Sequence, residues 1–126
     1  MNNTNNIIRN ISYINESIVK VEFENNIQIG LDDMKNALDY YDSITEKKTL
    51  KKLLITGYRT FINKEARQYG YQQMKLKKNQ VIAEAFVVHN LPQKMVVNFY
   101  ITFIKKDYPI KFFTDEESAL KWLNSI

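Results

Sequence analysis

Few residue types that carry out catalysis occur in this 126-residue chain. Cysteine is absent and His89 is the single histidine, which excludes thiol nucleophiles, disulfides, iron–sulfur clusters and paired-histidine metal sites. No glycine-rich phosphate loop or serine nucleophile motif is present. His89 would need a nucleophile and an orienting carboxylate to act as a general base, and local hydrogen bonding at a strand end is the simpler interpretation. We therefore expect no enzymatic activity, no metal and no cofactor.

The residues most suited to contact a partner lie in a loop over 57–63. This loop follows a short apolar strand, and open α/β sheets bind ligands beyond the carboxyl ends of their strands. Arg59 could hold an anion there, although an exposed turn explains it equally well. The residues that we expect to bind a partner protein or a small anion are Tyr58, Arg59, Thr60 and Asn63.

The helix predicted over 91–106 carries more apolar surface than one sheet face can cover. At 100° per residue its large apolar side chains span an arc of about 240°, whereas about 100° is enough to pack on a sheet. The excess must meet a neighbouring helix, a second subunit, or an apolar ligand or membrane surface. We expect a homodimer that associates through Val96, Phe99, Tyr100 and Phe103. The alternative is a carrier of an apolar small molecule or lipid, with this helix lining a cavity.

Lysines form three clusters, and each falls in a predicted helix-to-strand connection. The clusters are Lys47/Lys48/Lys51/Lys52, Lys75/Lys77/Lys78 and Lys105/Lys106, in a chain of net charge +4. They should meet at one rim of a parallel sheet and could attract an anionic partner. Lysines near helix C-termini also simply complement the helix dipole. No clustered arginines or interleaved aromatics accompany them, which disfavours nucleic acid as the partner.

Alternating strands and helices must position these residues. A hairpin with its turn at Asn15-Glu16 is followed by helices that Asp32, Asn63 and Asn90 could cap, and by a closing helix with a capping box at 114–117. The order ββαβαβαβα predicts an α/β fold with a mixed, mostly parallel five-stranded sheet and four helices. We expect a disordered or loosely ordered tail over 1–8 and a single domain over 9–126.

The C-terminal motif YPIKFFTDEESALKWL, residues 108–123, resembles the closing strand and helix of small bacterial STAS-like (SpoIIAA-like) proteins. The resemblance implies a module that acts by binding to proteins and not by catalysis. In the antagonists of anti-sigma factors within that family, a loop after the strand presents a phosphorylatable hydroxyl at a helix N-terminus. Here Asn63 stands where that hydroxyl is expected, and Thr60 has the one hydroxyl nearby, so the chain departs from that pattern.

Nothing in the sequence predicts a membrane span or an export signal. No apolar run approaches 18 residues, and the polar start MNNTNNIIRN has no basic segment followed by an apolar one. With cysteine absent, we expect a cytoplasmic protein. The sequence does not indicate which protein it binds.

Overall fold

The computed structural model describes residues 5–126, so residues 1–4 of the expected tail lie outside the described part. Within it the chain forms strands and helices in nearly the predicted order. The strands are β1 (Ile8–Tyr13), β2 (Ile18–Phe23), β3 (Gln28–Ile29), β4 (Leu50–Ile55), β5 (Phe61–Ile62), β6 (Val81–Val87) and β7 (Ile110–Phe113). The helices are α1 (Leu31–Thr45), α2 (Lys64–Leu76), α3 (Leu91–Ile104) and α4 (Glu116–Asn124).

Five strands make the main sheet, in the spatial order β1-β2-β4-β6-β7. β1 runs antiparallel to β2, and the remaining neighbours are parallel. The predicted α/β fold, with its mixed, mostly parallel sheet and four helices, is therefore confirmed. The sequence did not predict the second, two-stranded parallel sheet that β3 and β5 form beside the carboxyl ends of the main strands.

Helices cover both faces of the main sheet, so its central strands β4 and β6 are largely buried on both sides. α4 alone covers one face, where Leu53 and Ala85 pack against Ala119 and Leu123. The other three helices cover the opposite face with Val21, Leu54 and Phe86 beneath them. The buried charged side chains of the sheet, Lys52 and Glu84, point to this second face.

Three predicted boundaries differ from the structure. Ile7 is buried and Ile8 begins β1, so the ordered domain starts before residue 9. α1 is capped by Gly30 and not by Asp32, because the Gly30 N–H donates to the Asp33 carboxylate at 2.9 Å. α4 is capped one residue later than the predicted box at 114–117 implied, because the Asp115 carboxylate accepts from the backbone N–H of Ser118 at 2.7 Å.

Candidate functional site

A cavity of about 320 Å³ lies between the sheet and the three helices of its second face. Its floor comes from β2, β4 and β6, and its walls come from α1, α2 and α3. The lining is predominantly aliphatic and aromatic and includes Val21, Leu54, Phe86, Ala37, Tyr71 and Val97. Phe61 and Pro92 also line it and are exposed, so the cavity reaches the surface between β5 and the first turn of α3. Pockets for small ligands typically occupy about 300–1,000 Å³ and are mostly apolar, as this one is.

One end of the cavity carries a buried ion pair between neighbouring strands. Lys52 of β4 and Glu84 of β6 are paired in register, and Nζ lies 3.6 Å from Oε2. The other Glu84 oxygen accepts a 2.6 Å hydrogen bond from the Tyr100 hydroxyl, which in turn lies 2.6 Å from the hydroxyl of Tyr108. The Lys52 ammonium also sits 4.6 Å from the ring centroid of Tyr41.

Burial changes the titration of this cluster. It lowers the pKa of the Lys52 ammonium, and the Glu84 carboxylate opposes that shift. Burial also raises the pKa of Tyr100 and Tyr41, and the charge of Glu84 adds to the effect. Both phenols therefore stay protonated near neutral pH and remain hydrogen-bond donors.

At the opposite end of the cavity, the polar groups of Thr56 and Gln93 are hydrogen-bonded within the protein. The Gln93 side-chain N–H donates to the carbonyl oxygens of Gly57 and Thr60, and its Oε1 accepts from the His89 backbone N–H. The Thr56 hydroxyl is 2.7 Å from the carbonyl oxygen of Val87. This network connects the first turn of α3 to the 57–63 loop. The side-chain donors of Thr56 and Gln93 are all used in it.

The family model for a domain of unknown function, DUF7793, matches residues 12–126. The chain belongs to the DUF7793 family. A comparison of this DUF7793 protein with curated proteins finds no match.

The fold of the DUF7793 domain is similar to that of a solved structure. That structure is the crystal structure of an uncharacterized protein of the DUF3478 family with a SpoIIAA-like fold, from Shewanella loihica PV-4. The TM-score is 0.67 at 15% sequence identity, over 92% of this chain and 91% of that one. The STAS-like fold inferred from the C-terminal motif is thereby confirmed, and the likeness carries the fold alone.

The predicted partner loop of the DUF7793 protein divides into exposed and structural residues. Tyr58 is exposed and stacks on the His89 ring with centroids 4.0 Å apart, and Arg59 is exposed with a left-handed φ of 53°. Thr60 is buried, and its hydroxyl donates to the carbonyl oxygen of Glu24. Asn63 caps α2 by accepting from the Ala66 N–H at 2.9 Å, as its position predicted. Tyr58, Arg59 and Asn63 are thus accessible from the surface, whereas Thr60 is not.

The residues expected for self-association divide in a similar way. Phe99 and Phe103 of α3 are exposed, while Val96 is half-buried at the cavity wall. Tyr100 is only 5% exposed, because its hydroxyl binds Glu84 inside the core, and it is not part of an outer surface.

The predicted basic rim is neutralised in part by acidic residues. Lys77 pairs with Asp42 at 2.8 Å, and both Lys75 and Lys78 lie within 4 Å of Asp107. Lys52 is not part of this rim, since its side chain points to the second face of the sheet and is buried. The sequence feature that could have indicated a buried partner for Lys52 is Glu84, a charged residue inside the otherwise apolar run 81–88.

The part of the chain that the structure describes contains no group of three or more potential metal ligands. No helix within residues 5–126 has the length and apolar content that a membrane span requires.

Proposed function

We propose that this DUF7793 protein is a non-enzymatic STAS-like module that binds an apolar small molecule in its internal cavity. The observation that carries the proposal is the cavity itself, about 320 Å³ of largely apolar space beneath α3. Protein interiors are normally packed as densely as organic crystals, and voids larger than a water molecule are few. A cavity of this size that opens to the surface leaves its apolar walls facing water, and an apolar ligand would cover them.

The volume sets the size of the ligand. A cavity of about 150 Å³ accommodates benzene, with its six carbon atoms. In proportion, a cavity of about 320 Å³ accommodates up to about 13 non-hydrogen atoms. A phenyl ring with a four-carbon chain fits within this volume and leaves room for a polar end group, so n-butylbenzene is a suitable test ligand.

Gly70 of α2 offers a way to fill the cavity without disturbing the fold. It lines the cavity, and an added Cβ would meet the Met34 side chain at 3.7 Å, an ordinary contact. We expect Gly70→Leu to weaken n-butylbenzene binding by at least about tenfold, because the new side chain takes the space of the ligand. Isothermal titration calorimetry measures the affinity of both proteins.

Gly70→Ala is the matched control. It removes a glycine from the middle of a helix and should stabilise the protein by about 0.5–1 kcal/mol while leaving most of the cavity open. Binding of n-butylbenzene should then change by less than about twofold. The absence of saturable binding to the unsubstituted protein, or equal binding to Gly70→Leu, would contradict the proposal.

A specific observation also supports self-association as a second function. The outer side of α3 exposes Leu91, Met95, Phe99 and Phe103, each four residues after the last. Residues at this spacing form one stripe along a helix, and large exposed apolar stripes are typical of interaction surfaces. A second copy of the chain is the occupant that we propose, since twofold dimers are the commonest assemblies.

Phe99→Glu tests the dimer. Light scattering after size-exclusion chromatography should give twice the 15.0 kDa chain mass for the unsubstituted protein. The variant should be a monomer, because the dimer would bury an unpaired carboxylate. Lys121→Glu, at an exposed position of α4 on the opposite face of the sheet, should leave the dimer intact. A monomeric unsubstituted protein, or a dimer that survives Phe99→Glu, would exclude this interface.

A further inference from the structure

The polar groups at the two ends of the cavity differ in how many hydrogen bonds they still offer. At the Gln93 end both side-chain N–H donors of Gln93 are already bound. At the Lys52 end the ammonium has three N–H donors, yet the nearest carboxylate oxygen is 3.6 Å away, beyond hydrogen-bond range. Among the described residues its one hydrogen bond is a weak contact to the Met74 sulfur at 3.8 Å.

Two further groups at this end are incompletely satisfied. The Tyr41 hydroxyl is buried and has no hydrogen-bond partner among the described residues. Glu84 uses Oε1 to accept from Tyr100, whereas its Oε2 faces the Lys52 ammonium at the longer distance of 3.6 Å. Unmade hydrogen bonds of buried polar groups are expensive, and a charged donor is the most expensive case. These three groups come from α1, β4 and β6 and meet at one place.

We propose that the Lys52 end of the cavity binds an uncharged hydroxyl group, so that the ligand is an apolar alcohol. This inference rests on the proposed function and names the class of ligand. A hydroxyl oxygen accepts from the Lys52 ammonium or the Tyr41 phenol, and the hydroxyl proton is donated to Glu84 Oε2. A hydrocarbon satisfies none of these groups. The apolar remainder of the ligand lies between Leu54, Phe86 and Val97.

Charge balance disfavours a carboxylate in the same place. Lys52 already faces one negative charge, that of Glu84, and both are buried. A ligand carboxylate at this end would place a second buried negative charge beside Glu84, which is costly. The cluster therefore discriminates by charge as well as by hydrogen bonding.

Three compounds with the same phenylbutyl skeleton test the inference: n-butylbenzene, 4-phenyl-1-butanol and 4-phenylbutanoate. At pH 7.5 we expect the alcohol to bind at least about tenfold more tightly than the carboxylate, because of the second buried negative charge. Tyr41→Phe should weaken alcohol binding about fivefold, as expected for one lost neutral hydrogen bond, with less than a twofold change for n-butylbenzene. Tyr40→Phe is the control, since Tyr40 does not line the cavity.

Lys52→Met combined with Glu84→Gln removes both charges together and avoids leaving either one unpaired. This double variant should weaken alcohol binding about tenfold and leave hydrocarbon binding within about twofold. If the carboxylate binds most tightly, or if neither Tyr41→Phe nor the double variant changes the preference for the alcohol, the inference is wrong while the proposed cavity function stands. If none of the three compounds binds, both fail.

Discussion

Lys52→Met should destabilise the protein by about 3–5 kcal/mol. The substitution keeps the length of the side chain but removes the cation that faces the Glu84 carboxylate at 3.6 Å. Glu84 is 1% exposed, and among the described residues the Tyr100 hydroxyl is the hydrogen-bond donor that remains to the carboxylate. Urea denaturation monitored by circular dichroism measures the free energy of unfolding.

Two further variants show whether the loss comes from the unpaired charge. Adding Glu84→Gln to Lys52→Met should recover about 2 kcal/mol, because the carboxamide carries no charge and still accepts from Tyr100. Lys75→Met, at a lysine whose side chain is 44% exposed, should cost less than about 1 kcal/mol. Equal stability of the Lys52→Met single variant and the double variant would show that the ion pair is not what the substitution disrupts.

Gly57→Ala should cost about 3 kcal/mol, because no side chain fits at this position. Gly57 lies two residues after the end of β4, and a Cβ there would overlap the backbone carbonyl of Glu24 and the Thr60 hydroxyl. These two groups are hydrogen-bonded to each other, so neither can move without breaking the connection between the 57–63 loop and the segment after β2. The same denaturation measurement reports the loss.

The chain offers a matched control at Gly30. An added Cβ there would meet its nearest neighbours at 3.6 Å, an ordinary contact distance. Gly30→Ala should therefore cost only about 1 kcal/mol, the ordinary penalty for alanine at a helix N-cap. If Gly57→Ala proves as mild as Gly30→Ala, the close backbone approach is not a constraint on this fold.

The sequence predicted the elements well because their signals are local. Alternation along β2 placed Val19 and Val21 on one face and Lys20 on the other, where Lys20 pairs with Glu116 of α4. The caps at Asn63 and Asn90 and the proline in the first turn of α3 likewise depend on neighbouring residues alone. Local patterns of this kind fix where elements begin and which face they bury.

The position of Lys52 shows where local patterns fail. The sequence 47–52 looks like one basic cluster, but β4 begins at Leu50, so consecutive lysines point to opposite faces. Lys51 reaches the carbonyl oxygens of Leu123 and Ile126, whereas Lys52 reaches Glu84 in the next strand. That partner lies 32 positions away in sequence, and only the strand register brings the two together.

The cavity could not be predicted from the sequence for a related reason. The wide apolar arc of α3 indicated that the helix meets more than a sheet, and left a neighbouring helix, a second subunit, and an apolar ligand or membrane surface as alternatives. Whether space remains beneath the helix depends on how far α1, α2 and α3 stand from the sheet. That distance is set by the packing of side chains from all three helices and the sheet together. The structure shows both a cavity on the inner side of α3 and an exposed stripe on its outer side.

The most direct test is an amide chemical-shift titration of the ¹⁵N-labelled protein with 4-phenyl-1-butanol. Binding in the cavity predicts saturable shifts at residues that line it, such as Ala37, Leu54 and Val97. Residues of α4 on the opposite face of the sheet, such as Lys121, should not shift. Shifts confined to the outer stripe of α3 around Phe99, or none that saturate, would contradict the account.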